Sequence, residues 1–191
     1  MAEPGQHCED DAVNRFVQWR HALPNHWKYC PLCGAALSDR QWDGKIRRYC
    51  TQCGFVYWDR PMPATAAIIY DRASDRVVVV TRRYPPAVGG HTFPGGGIEA
   101  GEGVTEALLR EVREETGLTV VVDAQLGTWS TPSKETIITF FLAHPEGGQL
   151  LAGSDALDAK WFPVQAVPEL VFSLHQAAFD LFSAQHRLGT L

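Results

Sequence analysis

The sequence predicts a mixed α/β (α+β) domain preceded by a small four-cysteine module, and three observations carry that expectation. Strand-like runs rich in Ile and Val stand on both sides of one strongly signalled helix, the alternation of a mixed fold. Two Cys-x2-Cys pairs lie close together ahead of them. Between the two regions runs Trp58-Asp59-Arg60-Pro61-Met62-Pro63, a proline-rich stretch that reads as a linker. The 191 residues accordingly divide into an N-terminal extension over 1–27, the cysteine module over 28–60 and the main domain over 61–191.

In the extension, Val13, Phe16, Val17 and Arg20 stand at helical spacing, predicting a short helix from Asp11 to His21 that Pro24 ends. Ala64 to Tyr70 and Val77 to Thr81 read as strands around a turn at Asp71–Asp75. The glycine-rich loop Gly89-Gly90-His91-Thr92-Phe93-Pro94-Gly95-Gly96-Gly97 follows. Val104 to Thr116 is the clearest helix. Gly103 stands at its N-cap, Glu106 at the third position as in a capping box, and Gly117 supplies a left-handed C-terminal cap. Leu118–Val122 and Thr136–Leu142 read as strands, Lys160–Phe162 as a short one, and Phe172–His186 as the last helix.

Hydrophobic residues make up 45% of the chain and charged ones 20%, a balance that supports a real core. The net charge of −5 disfavours a protein whose task is gripping long nucleic acid, since that binding runs on basic fields. It leaves room for a single nucleotide held through a metal ion. No apolar run approaches the ~18 residues needed to span a bilayer. The stretch from Met1-Ala2-Glu3-Pro4 to Glu9-Asp10-Asp11 is acidic and lacks an apolar signal core. A cytoplasmic location is the expectation.

Cys8 stands alone, whereas Cys30/Cys33 and Cys50/Cys53 form two pairs separated by the 16 residues 34–49. In a reducing compartment such pairs point to metal before disulfides, and the spacing suits a four-cysteine zinc site. Gly34 and Gly54 follow the second cysteine of each pair, where a positive φ lets amides point at sulfur. Four thiolates close a tetrahedral shell and leave no position for water, so the zinc is expected to be structural. Arg47, Arg48 and Tyr49 are the residues of the module that could touch a phosphate or a base, and a solvated turn explains them equally well.

The densest information lies between Gly96 and Leu118. Glu111, Glu114 and Glu115 fall at i, i+3 and i+4 of the helix, so at ~100° per residue all three carboxylates share one face. Such crowding demands cations, and hard oxygen ligands suit Mg²⁺ or Mn²⁺. Leu108 and Val112 on the adjoining side are expected to pin the helix to the core. The preceding glycines bring backbone groups close to a metal or a phosphate.

Gly96, Glu102, Arg110, Glu111, Val112, Glu114, Glu115, Gly117 and Leu118 match every defined position of the Nudix box, Gly-x5-Glu-x7-Arg-Glu-hydrophobic-x-Glu-Glu-x-Gly-hydrophobic. The chain from about Pro61 onward resembles a Nudix hydrolase domain, and a four-cysteine ribbon precedes the domain in a subset of that family. The resemblance implies an α/β/α sandwich with a mixed sheet, the box forming a loop–helix–loop. It implies Glu114 and Glu115 as principal Mg²⁺ or Mn²⁺ ligands, Glu111 as a further ligand or water-handling residue, and Arg110 as the residue that orients a box glutamate. The carbonyl of Gly95 or Gly96 would complete a metal shell, with Gly95, Gly96 and Gly97 forming a phosphate loop.

The implied reaction is attack by metal-activated water on one phosphorus of a pyrophosphate. The general base in this family often lies outside the box, and Asp155 and Glu135 are the two candidates. Pro132, 15 residues past Gly117 and followed by Glu135, resembles the ADP-ribose-cleaving branch, whose products are AMP and ribose 5-phosphate. NADH or FAD cleavage is the alternative; the Ser-Gln-Pro-Trp-Pro-Phe-Pro motif of NADH pyrophosphatases is missing after the box. Readings of another class are a non-catalytic nucleotide sensor and an RNA-end-binding module. The expected partner is a nucleotide-derived small molecule, with nucleic acid and membrane disfavoured and a homodimer open.

Overall fold

The computed structural model describes residues 27–58, 60–133, 135–153 and 155–190. The helix expected over Asp11–His21 and the lone Cys8 lie outside them. The chain forms two compact units, one ending at Arg60 and one starting at Pro61.

In the first unit, β1 (Leu37–Trp42) and β2 (Lys45–Cys50) make an antiparallel hairpin. Asp43 and Gly44 turn it with positive φ at both residues, as a two-residue hairpin requires. Among its described residues the core is Cys30, Leu37 and Cys50, with Ala35 and Phe55 packed alongside. So little apolar surface cannot hold a fold without a staple.

The second unit is a mixed sheet with a helix on each face, the α/β/α arrangement. β3 (Met62–Asp71) runs parallel to β8 (Thr136–Gly148) and antiparallel to β6 (Gly95–Gly97); β7 (Leu118–Ser130) pairs with β8. β3 meets β4 (Arg76–Arg82) only at their shared turn, and β4 continues with β5 (His91–Thr92) and β9 (Ala156–Pro163). The period-2 alternation of strands sends successive side chains to opposite cores. Ala64, Ala66 and Ile68 of β3 join Val77, Val79, Phe140 and the C-terminal helix α2 (Ser173–Leu188) through Ala178 and Phe182. Ala67 and Ile69 join Val78, Phe141 and the helix α1 (Val104–Thr116) through Leu108 and Val112. Phe141 is thus a core residue, and Trp129 packs edge-on against Phe140. Among the described residues no helix is long and apolar enough to cross a membrane.

The long hairpin of β7 and β8 extends well past the short strands expected at Leu118–Val122 and Thr136–Leu142. Its register shifts at Thr119/Val120, Val122/Ala124 and Gln125/Gly127, and each bulge breaks the alternation by which a strand is read. β9 likewise begins four residues before the expected Lys160.

Candidate active site and metal centres

Helix α1 forms where its signals say it should. Glu106 accepts the Gly103 N–H at 2.7 Å, and Gly117 ends the helix at φ 70°, its N–H donating to the Arg113 carbonyl. Ala107, Leu108 and Val112 are fully buried, which fixes the rotation of the helix and turns the glutamates to the rim. The glycine strand β6 lies against this rim. A Cβ on Gly95 would run into the Thr65 carbonyl, and one on Gly96 into the Glu111 carboxylate. Only glycine allows carboxylate and backbone to come this close.

Arg110 ties the cluster together. Its Nε and Nη2 donate to the two Glu102 oxygens at 2.5 and 2.9 Å. Nη1 reaches Glu111 at 2.8 Å and Glu114 at 3.1 Å, and Nη2 also reaches the Gly97 carbonyl at 3.1 Å. The guanidinium holds Glu102 down to about 2, and the carboxylates keep Arg110 firmly charged. Glu115 accepts the Gly95 N–H at 2.9 Å. Burial pushes Glu115 up to about 7, with the charges of Glu111 and Asp155 adding to it. Burial likewise raises Glu111, against the pull of Arg110.

The two candidate bases part company. The charge of Asp155 acts on both Glu111 and Glu115, so Asp155 belongs to the carboxylate cluster. Glu135 stands at the mouth of β8, its carbonyl accepting the Met62 N–H at 2.7 Å. Among the described residues no hydrogen bond or ion pair joins it to the box.

Asp155 is brought in by contacts remote in sequence. Ahead of it, Leu151 N–H and Gly153 N–H cap the Thr116 and Glu115 carbonyls at the end of α1. A Cβ on Gly153 would collide with the Glu114 carbonyl. Behind it, the Arg83 N–H donates to the Asp155 carbonyl at 3.1 Å, and the Arg83 guanidinium to Ala156 O at 3.2 and 2.8 Å. Arg82 also faces the cluster: the charges of Glu115 and Asp155 offset the burial that lowers it. Its guanidinium lies 5.1 Å over the Phe172 ring and donates to Pro86 O at 2.9 Å. Sequence reading missed Arg82, Arg83 and Gly153, because no motif marks residues that meet only through the β4–β9 pairing.

A divalent cation fits this donor set. Glu102, Glu111, Glu114, Glu115 and Asp155 outnumber Arg82 and Arg110, and burial raises Glu111 and Glu115, with neighbouring carboxylates adding to it.

The cysteines form a second centre. All four Sγ atoms lie within 4.8 Å of one another, and Cys30–Cys53 and Cys33–Cys50 approach to 3.5 Å. A tetrahedron with ~2.3 Å bonds places sulfurs about 3.8 Å apart, so the arrangement suits zinc. The two pairs fold identically. Gly34 and Gly54, at φ 73° and 79°, donate to the Cys30 and Cys50 carbonyls, and those cysteines donate to Ala35 and Phe55. The Cys53 amide, then the Cys33 thiol and the Gln52 amide, hold the Cys50 thiol down against burial, to about 7.

A model of the NUDIX domain matches residues 60–183. An ADP-ribose pyrophosphatase of Methanocaldococcus jannaschii is 36% identical over 114 residues, covering 58% of this chain and 68% of that protein. A NAD-capped RNA hydrolase, NudC, of Haemophilus influenzae (strain PittGG) is 31% identical over 187 residues, covering 92% of this chain and 68% of that protein. A relative of that name from Pseudomonas aeruginosa (strain LESB58) is spanned over 57% of its length. Among solved structures, a NUDIX hydrolase from Nitrosomonas europaea superimposes with TM-score 0.79 at 22% identity, covering 85% of this chain and 93% of that one, which makes the fold common to both. The carboxylate helix, the glycine strand beneath it and the matched domain agree: the chain belongs to the Nudix hydrolase family.

Proposed function

We propose that this chain hydrolyses the pyrophosphate bond of a nucleoside diphosphate derivative, ADP-ribose before others, giving AMP and ribose 5-phosphate. The observation that carries the reading is the Arg110-tied carboxylate rim of α1, set against a glycine strand and completed by Asp155. Glu111, Glu114, Glu115 and the Gly96 carbonyl would hold Mg²⁺ or Mn²⁺. Bound there, the ion offsets phosphate charge and lowers the pKa of a coordinated water.

The chain's own residues do the rest. Gly95, Gly96 and Gly97 present backbone without side chains, so a diphosphate can lie close. Arg110 fixes the angles of Glu111 and Glu114. Water attacks one phosphorus, its proton passes to Asp155, and the bridging oxygen leaves with the other phosphate. Asp155 is preferred over Glu135 as base because its charge reaches Glu111 and Glu115. Zinc on Cys30, Cys33, Cys50 and Cys53 holds the ribbon, and a cytoplasmic setting keeps those thiols available.

A second reading, cleavage of NAD(H) or of an NAD cap on RNA, is favoured by one observation. Similarity to the Haemophilus influenzae NAD-capped RNA hydrolase extends over 92% of the chain, whereas the archaeal ADP-ribose pyrophosphatase covers 58%. Incubation with Mg²⁺ and a panel of ADP-ribose, NADH, NAD⁺, FAD, a diadenosine polyphosphate and NAD-capped RNA separates the readings. AMP release fastest from ADP-ribose is the expected result. Fastest release from NADH or capped RNA would replace the substrate and keep the chemistry, and inertness toward all would refute both.

A further inference from the structure

The hairpin register of the ribbon sorts its charges by face. Directly opposed residues of an antiparallel pair project to the same side. Ser38–Tyr49, Arg40–Arg47 and Trp42–Lys45 therefore share one face, while Leu37–Cys50, Asp39–Arg48 and Gln41–Ile46 share the other. The second face is self-contained. Leu37 and Cys50 are buried, and Arg48 donates to Asp39 at 2.8 Å, to Leu37 O at 3.2 Å and to Trp27 O at 3.0 Å.

The first face carries three bases and no acid, interleaved with rings. Arg40 lies 4.7 Å over Tyr49 and 5.1 Å over Trp42, and Arg47 lies 4.5 Å over Trp58. Trp58 stands edge-on to Trp42 at 6.3 Å and is 41% exposed. Among the described residues, Arg40, Lys45 and Arg47 form no salt bridge, and Arg47 Nε is buried without a hydrogen-bond partner. On the other face Asp39 pairs with Arg48, whereas no acid stands opposite the bases of this one. In a chain of net charge −5, three cations gathered on one hairpin face make a local positive patch that draws an anionic ligand there rather than to the rest of the surface.

We infer that this face is a docking surface for single-stranded nucleic acid, with bases stacking on Trp58 and Trp42 and phosphates meeting Arg40, Lys45 and Arg47. Rings and cations at alternating positions fit a strand that itself alternates π-faces and phosphates. An acidic peptide would use the cations and leave the rings idle. The overall acidity of the chain, which disfavours long nucleic acid, is compatible with a basic patch confined to one hairpin face. The inference stands apart from the hydrolase reading and does not depend on which pyrophosphate is cleaved.

The test is anisotropy of a short, uncapped, fluorescein-labelled single-stranded RNA titrated with the full, zinc-loaded chain in the absence of Mg²⁺. Saturable binding is expected, weakening about 20-fold between about 50 and 200 mM salt if three phosphates are neutralised. Arg40→Gln/Lys45→Gln should weaken binding at least tenfold. Trp58→Ala should do so about tenfold and reduce quenching of tryptophan fluorescence. Ile46→Ala on the opposite face should leave binding unchanged, and zinc content shows that each variant keeps its ribbon. Equal binding of single-stranded DNA supports the inference, since the face would read rings and phosphates rather than the 2′-hydroxyl. No saturable binding at low salt, equal affinity for duplex RNA, or indifference to the face variants with zinc retained would overturn it. So would a change in oligomeric state as the only effect of those variants, which would make the face a contact between copies.

Discussion

Two places in this molecule gather ligand groups that repel one another, and they are built in opposite ways. In the ribbon the ligands are the core: Cys30 and Cys50 are two of the three buried apolar residues among those described there. On α1 the carboxylates are mounted on a helix whose other side is anchored by Ala107, Leu108 and Val112, with Arg110 standing in as an internal counter-ion. Metals bound at the two places would therefore act differently. A metal that replaces a hydrophobic core contributes folding free energy, whereas one on a prebuilt rim contributes chemistry.

The largest test of that contrast is loss of zinc. Structural zinc sites contribute about 10–16 kcal/mol at neutral pH, far more than a three-residue core can. Cys30→Ser/Cys50→Ser, or chelation, should unfold residues 28–60 while the second unit keeps its melting transition. Limited proteolysis with zinc analysis reads this out, and a ribbon that stays protease-resistant without zinc would break the comparison. Next comes Arg110→Ala, which leaves Glu102, Glu111 and Glu114 facing one another. Metal affinity should fall about 10–100-fold, measured as the Mg²⁺ concentration for half-maximal turnover. Arg110→Lys should recover little, because an ammonium cannot span three carboxylates.

A buried histidine sharpens the point that the second unit carries its own stability. His175 accepts the Phe93 N–H at 3.2 Å and lies against the Phe140 and Phe93 rings. Burial, then the charge of Arg82, pushes its pKa down to about 3. The unfolded chain takes that proton near 6.5, so the stability is complete above 6.5 and is lost as pH falls toward 3. Between pH 6.5 and 5 the loss is about 2 kcal/mol. Melting curves of the wild type should show this slope, and those of His175→Gln should be flatter. The smallest effect is expected at Arg83→Ala, which removes the guanidinium's two bonds to Ala156 O beside Asp155 and leaves the backbone bond to Asp155. A drop of about tenfold in kcat with KM little changed is expected, whereas equal changes in both would point to general unfolding of the site.

Much of this was legible in the chain because the signals are local. Gly103, Glu106 and Gly117 mark α1, and its glutamate spacing predicts the shared face that Arg110 then ties. The repeated Cys-x2-Cys-Gly predicts two like turns, and both appear. What escaped is non-local. The hairpin of β1 and β2 reads as a solvated turn until its register separates bases from acids. The bulges of β7 and β8 hide two long strands. Arg82, Arg83, Gly153 and His175 gain meaning only when β4, β9 and α2 converge from distant parts of the chain, since one-dimensional spacing carries no record of such meetings.

If the rim of α1 holds a catalytic divalent ion, metal binding and turnover depend on the same carboxylates. The most direct measurement pairs Mn²⁺ binding, followed by electron paramagnetic resonance, with pyrophosphate hydrolysis in the wild type and in Glu114→Gln/Glu115→Gln. Mn²⁺ binding and turnover should be lost together, turnover by a factor on the order of 1,000 or more, with zinc content and melting temperature unchanged. Turnover that survives the double substitution, or Mn²⁺ binding that persists at full strength, would contradict the account.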